Sequence, residues 1–177
     1  IDICGYTAWN RSEIFMHRAA PIQINYLGYP GTMGAEYIDY IIADEVIIPN
    51  RSWVAAPHAA LLLGAKVVLV DVESDRPIIN ASLIEGRITK NTKVIMPVHM
   101  NGRAADMVKI NDIAKKYNLF VIEDAAQAIG SRNSQGYLGT QSDIGCFSLS
   151  VAKTITTGQG GFLVTDNDEL AYKLRAK

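Results

Sequence analysis

Residues 104–124 read AADMVKINDIAKKYNLFVIED and place a helical pattern directly before a strand pattern. The spacing predicts a helix over Ala104–Tyr117, because apolar residues recur on one helix face at Met107, Ile110, Ile113, Ala114 and Tyr117. Leu119–Ile122 is an unbroken apolar run, as expected for a strand that is covered on both faces. A helix followed by such a strand is typical of a layered α/β protein.

The same alternation continues on both sides of this stretch. Further strands are predicted at Lys66–Asp71, Val94–Val98, Ile144–Leu149 and Gly161–Thr165. Further helices are predicted at Val54–Leu63, with Ser52 as its cap and Gly64 as its stop, at Ala81–Ile88 and at Asn167–Lys177. Strands that alternate with helices in this way predict an α/β domain whose sheet is mostly parallel.

The composition excludes several classes of protein. Hydrophobic residues make up 49% of the 177 residues and charged residues 20%, which excludes a disordered or collagen-like chain. No apolar run approaches the roughly 18 residues of a membrane helix. A net charge of -1 argues against nucleic acid as a partner. Two cysteines without a metal or disulfide spacing, and the lack of a signal peptide, predict a cytoplasmic protein.

Charge is distributed unevenly along the chain. The first 50 residues carry two arginines, no lysine and six acidic residues, whereas the remaining 127 carry 15 basic and 12 acidic residues. This shift indicates a boundary near Asp44–Asn50. The chain opens on Ile1 and ends at Lys177 inside a helical pattern, so we expect it to be part of a longer protein.

Three groups of polar residues follow predicted strands, where open α/β sheets bind their ligands. They are His99, the pair Glu123 and Asp124, and the stretch Ser148–Lys153. Taken alone, Asp124 is more often a helix cap than a functional acid. His99 is as often a satisfied core histidine as a site residue, and the sequence leaves both interpretations open.

Lys153 lies among small and hydroxyl residues, with no other charge between Ser148 and Gly161. Most lysines are solvated surface groups, but a desolvated lysine becomes an amine nucleophile that forms Schiff bases. A pyridoxal phosphate site needs such a lysine, an acid for the pyridine nitrogen, an aromatic ring and donors for the phosphate. Lys153, Asp124, Trp53 and Ser148 supply that set. The alternative is a non-catalytic α/β module with a structural lysine.

From about Asp44 to Lys177 the chain resembles the DegT/DnrJ/StrS sugar aminotransferases, which have the type I aminotransferase fold. The segments that carry the resemblance are Asp44–Pro49, Leu63–Lys66, Pro97–His99, Phe120–Gln127, Ser142–Ser148, Lys153 and Gly158–Gly161. Gln159 is a departure, since glutamate is more usual at that position. The resemblance implies an incomplete large domain of that fold over residues 44–177.

The resemblance implies a role for each of five residues. Lys153 would form the Schiff base with pyridoxal 5'-phosphate and later move the proton between the two carbons of the substrate imine. Asp124 would keep the pyridine nitrogen protonated, and Trp53 would stack on the ring. Gln127 would approach the ring, and Ser148 would bind the phosphate.

The resemblance also implies a reaction and its partners. An amino group would pass from an amino acid, with glutamate expected, to a nucleotide-linked keto sugar of the kind used in polysaccharide biosynthesis, and the enzyme would be a homodimer. The phosphate-binding segment that the family has ahead of Asp44 is not recognisable here. We therefore expect the chain by itself to be inactive.

Residues 1–43 resemble instead the catalytic region of O-GlcNAc transferases. The matching strings are Gly5–Thr7, Arg18–Gln23, Leu27–Thr32 and Asp39–Asp44. This resemblance implies a short α/β glycosyltransferase-like segment and a fused or chimeric chain. The alternative function is therefore that of an O-GlcNAc-type glycosyltransferase fragment. The donor-binding lysine and the catalytic histidine of such enzymes have no counterpart that can be placed here.

Overall fold

The computed structural model describes residues 44–175. The O-GlcNAc transferase-like segment predicted for residues 1–43 lies outside the described residues. The strands are β1 Glu45–Pro49, β2 Lys66–Val70, β3 Thr92–Ile95, β4 Phe120–Asp124, β5 Arg132–Asn133, β6 Gly136–Tyr137, β7 Ile144–Ser148 and β8 Gly161–Val164. The helices are α1 Ala55–Leu62, α2 Met107–Tyr117 and α3 Asp168–Leu174.

Six of these strands form one sheet, in the order β2-β1-β3-β4-β7-β8. All neighbouring pairs in the sheet are parallel except β7 and β8. The short strands β5 and β6 form a separate antiparallel hairpin. The prediction of an α/β fold with a mostly parallel sheet is therefore confirmed. Because the parallel strands share a direction, the carboxyl ends of β1, β3, β4 and β7 meet at one edge, which we call the carboxyl edge.

Strand β1 is an element that the sequence analysis did not predict. It occupies Glu45–Pro49, where the change in composition indicated a boundary, and all five of its residues are buried. It lies between β2 and β3 and pairs with both, so this stretch is part of the sheet and not a linker. Its buried Glu45 accepts hydrogen bonds from Lys66, Thr89 and Thr92 at the opposite edge of the sheet.

Helices cover the two faces of the sheet. The predicted face of α2 packs into one core cluster through Met107, Ile110, Ile113 and Ala114, together with Ile47 of β1. Ala56 and Ala60 of α1 pack with Val46 and Ile48 in a second cluster. Since successive strand residues point to opposite faces, β1 alone contributes to both cores. Asp106 caps α2 by accepting a hydrogen bond from the Lys109 N–H at 3.1 Å.

The start of α1 differs from the prediction. Its N-cap is Val54, without a side-chain hydrogen bond, and the Ser52 hydroxyl donates instead to the Trp53 carbonyl at 2.8 Å. The helix ends as predicted at Gly64, whose φ of 77° lies in the left-handed region. There the N–H groups of Gly64 and Ala65 donate to the carbonyls of Leu61 and Ala60, which satisfies the last turn.

Two further predictions need correction. Residues 81–88 form two short 3-10 turns, Ala81–Leu83 and Glu85–Arg87, instead of one helix. Only about two turns of chain are available there, and Asn80 caps the first turn from its side chain. Strand β4 is not covered on both faces among the described residues, because Phe120 is 56% exposed while Val121 is buried.

Candidate active site

Asp124 and Lys153 are the two predicted site residues that the structure brings into electrostatic contact. Asp124 ends β4, with β3 on one side and β7 on the other. Burial raises the pKa of the Asp124 carboxyl, while a hydrogen bond from the Ala126 N–H and the positive charge of Lys153 lower it. The net direction is upward. An acid that holds its proton more tightly than usual thus lies at the carboxyl edge, within electrostatic range of Lys153.

Lys153 lies in the connection between β7 and β8. This connection folds on itself through hydrogen bonds from the Leu149 N–H to the Gly160 carbonyl at 2.8 Å and from the Thr157 N–H to the Leu149 carbonyl at 3.0 Å. Gly158 and Gly160 have φ values of 84° and 134°, which explains why the turn is rich in glycine. Within residues 44–175 the Lys153 ammonium makes no hydrogen bond, so its amine is available to a ligand.

Ser148 and Asp124 are placed by neighbouring parallel strands. Asp124 is in register with Cys146, and Ser148 follows two residues later at the end of β7. The Ser148 hydroxyl oxygen accepts a hydrogen bond from the Ser150 N–H at 3.3 Å. Among the described residues its own proton has no acceptor, and a hydroxyl with a spare proton can donate to an anion.

Trp53 and Gln127 lie at the same edge. Trp53 follows β1, immediately before α1, and is 70% exposed, so its ring is free of packing in the described part of the chain. The Gln127 side-chain oxygen accepts a hydrogen bond from the Asn101 N–H at 2.9 Å. This leaves the Gln127 amide group with its N–H donors to offer. In residues 44–175 no ring contact or side-chain hydrogen bond joins Trp53 to the other predicted site residues.

His99 is a satisfied core residue. It is 0% exposed, and its Nε2 lies 2.8 Å from Oε2 of Glu123, which is equally buried. Its Nδ1 accepts a hydrogen bond from the Ala105 N–H at 3.2 Å, so the ring proton is assigned to Nε2. Of the two interpretations that the sequence left open, the structure therefore selects the core residue.

Glu123 was predicted to follow a strand together with Asp124, but the sequence pattern assigned it no role of its own. Burial by itself would raise the pKa of the Glu123 carboxyl, but hydrogen bonds from His99 and from the N–H groups of Gly139 and Gln141 together lower it. A charged residue inside an apolar strand must find partners when it is buried. That requirement is the sequence signal that could have identified Glu123.

The described residues contain neither a candidate metal site nor a candidate membrane-spanning helix. Between residues 44 and 175, no group of three or more His, Cys, Asp or Glu side chains could hold a metal ion. Over the same described range, no helix has the length and apolar character needed to cross a bilayer.

The fold of the described residues is similar to that of solved aminotransferases. DesV of S. venezuelae, solved in complex with a ketimine intermediate, is 38% identical with a TM-score of 0.72, covering 75% of this chain and 36% of DesV. NtdA from Bacillus subtilis, solved with bound cofactor PMP, is 40% identical with a TM-score of 0.68, covering 74% and 29% of the two chains. The fold is thus the α/β fold of pyridoxal phosphate-dependent aminotransferases.

The family follows from the sequence. Residues 33–176 match the DegT/DnrJ/EryC1/StrS aminotransferase family, and the chain belongs to that family. A GDP-perosamine synthase from Escherichia coli O157:H7 is 46% identical over 129 residues, which is 73% of this chain and 35% of that enzyme. The chain therefore spans about a third of the length of these relatives. The match begins ahead of the predicted boundary at residue 44, which stays a prediction, as does the O-GlcNAc transferase-like segment.

Proposed function

We propose that this chain forms the cofactor-binding part of a pyridoxal phosphate-dependent aminotransferase that aminates a nucleotide-linked keto sugar, with glutamate as the amino donor. The observation that carries the proposal is that Asp124 and Ser148 end the adjacent parallel strands β4 and β7 at the carboxyl edge, with Lys153 in the connection that follows β7. Membership of the family and the similarity to a GDP-perosamine synthase support the sugar as substrate.

The polar groups at the edge fit pyridoxal phosphate. One carboxylate oxygen of Asp124 accepts the Ala126 N–H at 3.0 Å, and its second oxygen has no hydrogen bond within the described residues. That oxygen can accept a hydrogen bond from a protonated pyridine nitrogen and so keep the nitrogen protonated. The Lys153 side chain, which has no hydrogen bond within the described residues, and the spare hydroxyl proton of Ser148 complement an aldehyde and a phosphate. The exposed ring of Trp53 offers an aromatic surface.

When bound, pyridoxal phosphate supplies an electron sink and a carrier for the amino group. Asp124 holds a proton near the ring nitrogen and fixes the charge there. The Lys153 amine would take a proton from the carbon that bears the amino group and give it to the other carbon bonded to the same nitrogen, which requires that the amine be unhindered by other partners. Ser148 donates to the phosphate, and Gln127 donates from its amide group, oriented by the Asn101 N–H.

We further propose that the complete enzyme acts as a homodimer and that the 177-residue chain alone is inactive. The relatives are about three times as long as the matched part, so most of their length lies outside it. No contact in residues 44–175 favours the O-GlcNAc-type alternative, which depends on residues 1–43.

Covalent trapping tests the proposal on the chain as it stands. The protein is incubated with pyridoxal phosphate, reduced with borohydride, digested with trypsin and analysed by mass spectrometry. Lys153 is the only lysine between Arg132 and Lys173, so its modification blocks cleavage and yields a fragment of residues 133–173. We expect the label on that fragment at substoichiometric cofactor. A label spread evenly over exposed lysines such as Lys90 would contradict the proposal.

A further inference from the structure

The buried carboxylate of Glu123 joins three segments of the chain. Oε2 accepts hydrogen bonds from His99 Nε2 at 2.8 Å and from the Gly139 N–H at 2.8 Å. Oε1 accepts from the Gln141 N–H at 2.6 Å and from the Ser142 hydroxyl at 2.9 Å. All four neighbours are donors, and the side chain is 0% exposed. An isolated buried charge is very costly, but one that accepts four hydrogen bonds is well compensated.

This arrangement requires a carboxylate at position 123. Because the Ala105 N–H occupies Nδ1 of His99, the imidazole keeps its proton at Nε2 and can only donate toward Glu123. The two backbone N–H groups cannot reverse their role either. A glutamine would have one oxygen for these donors and would turn an N–H group toward others, leaving buried donors unsatisfied.

The three segments that meet at Glu123 lead to the predicted site. The backbone N–H of His99 donates to the backbone carbonyl of Asp124 at 3.0 Å, and the backbone N–H of Asp124 donates to the carbonyl of Pro97 at 2.9 Å. The segment 139–142 leads directly into β7, which ends at Ser148. It also packs closely under the strand ends, because a Cβ at Gly139 would lie 2.8 Å from the Ala125 side chain. Glu123 therefore fixes the end of β4 relative to the start of β7, the strand that ends at Ser148.

We infer that Glu123 is a positioning residue: its buried carboxylate, hydrogen-bonded to His99, Gly139, Gln141 and Ser142, holds Asp124 and Ser148 in the relative placement that pyridoxal phosphate requires. This inference rests on the proposed function for its ligand. The hydrogen-bond network itself is independent of it and can be tested without cofactor.

The chain provides a matched control in Glu45, the other buried glutamate between residues 44 and 175. It accepts hydrogen bonds from Lys66, Thr89 and Thr92 at the opposite edge of the same sheet. Glu45→Gln and Glu123→Gln each remove one buried charge from one strand. If Glu123 only stabilised the fold, the two variants should have similar effects. If Glu123 is a positioning residue, Glu123→Gln should disturb the carboxyl edge and Glu45→Gln should not.

Two measurements on the full 177-residue chain decide the question. In cofactor-free protein, Glu123→Gln should speed hydrogen exchange at the amides of residues 124–126 by about tenfold or more, while Glu45→Gln changes it less than about twofold. In titrations followed by absorbance, Glu123→Gln should raise the Kd for pyridoxal phosphate about tenfold, against less than about twofold for Glu45→Gln. Exchange that is unchanged at residues 124–126, or equal effects of the two variants, would overturn the inference.

A milder pair covers the case in which a glutamine variant fails to fold. Ser142→Ala removes one donor to Glu123, and Thr92→Val removes one donor to Glu45. We expect Ser142→Ala to speed exchange at residues 124–126 and raise the Kd for pyridoxal phosphate by smaller factors than Glu123→Gln, with still smaller effects of Thr92→Val. Equal effects of Ser142→Ala and Thr92→Val would count against the inference. If the unaltered chain binds no pyridoxal phosphate, the proposed function fails, and the exchange measurement alone then supports or overturns the role of Glu123 in placing Asp124.

Discussion

Glu123 and Asp124 are adjacent on strand β4, yet the pKa values of their carboxyl groups are shifted in opposite directions. Burial tends to raise both, but only Glu123 has enough donors to reverse the effect. Because neighbouring strand residues point to opposite faces, one carboxylate is fixed in the core and the other is left with a free oxygen at the carboxyl edge. One strand thus combines a structural acid with a candidate cofactor acid.

The raised pKa of Asp124 predicts that its carboxylate lowers the stability of the cofactor-free fold. Between its ordinary value of 3.8 and its raised value, the folded state binds more protons than the unfolded state, so stability falls as pH rises through that window. Asp124→Asn removes the charge with little change of shape. We expect the variant to unfold at a higher urea concentration than the unaltered chain at pH 7, with a smaller difference near pH 3.

The same substitution should remove function. In a chimera whose residues 44–175 replace the matching part of the GDP-perosamine synthase, Asp124→Asn should lower kcat by about 100-fold or more, because the amide cannot stabilise a protonated ring nitrogen. Asp75→Asn, which removes an exposed acid, serves as the charge control. Near-normal turnover of Asp124→Asn would show that Asp124 is only a cap for the turn at Ala126.

Lys153 should be indispensable in the same chimera. Lys153→Ala removes the amine, and we expect transamination to become undetectable while the unfolding midpoint changes little, since the Lys153 side chain makes no hydrogen bond in the described residues. Lys153→Arg should not restore activity, because a guanidinium stays protonated and cannot form an imine. The measurement is amino transfer from glutamate, and turnover retained by the alanine variant would refute the assignment.

Much of the fold could be predicted because its elements are locally consistent. The helix predicted over Ala104–Tyr117 from its apolar face forms as Met107–Tyr117, and it starts three residues later than predicted because Asp106 caps it there. Strand β1 was missed because its short apolar core lies between Glu45, a residue type depleted in strands, and Pro49, which argues against a central strand. Its central position is set by pairing with β2 and β3, which no local pattern reports.

The candidate site was predictable in part. Asp124, Ser148 and Lys153 follow strands in the sequence, and the parallel sheet brings those strand ends to one edge. The partners of His99 and Glu123 lie up to 24 residues apart, in segments that only the fold brings together. The distinction between a core histidine and a site histidine is made by burial, which is a property of the tertiary structure.

Gly145 should be irreplaceable for a reason that is independent of its backbone angles. A Cβ at Gly145 would lie 1.7 Å from the Gly139 carbonyl oxygen, so β7 or the segment that binds Glu123 would have to move. Gly145→Ala should lower the free energy of unfolding by about 3 kcal/mol, and residues 139–142 should lose protection from hydrogen exchange. Gly86→Ala is the control, because a Cβ there meets nothing within 4 Å, and its effect should stay within about 0.5 kcal/mol. Equal stability of the two variants would contradict this packing.

The 177-residue chain alone should show neither amino transfer nor glycosyl transfer. It spans 35% of the perosamine synthase that it matches, and the family resemblance implies a site completed by a second subunit. In the described residues Phe120 is 56% exposed on β4, and an uncovered apolar strand residue favours association. We therefore expect weak binding of pyridoxal phosphate, measured by absorbance, and oligomers or aggregates in size-exclusion chromatography. Assays with glutamate and a nucleotide-linked keto sugar, with the complete perosamine synthase as positive control, should give no product. A soluble monomer with robust turnover would show that residues 1–177 already contain every group the reaction needs, and that the partner subunit contributes none of them.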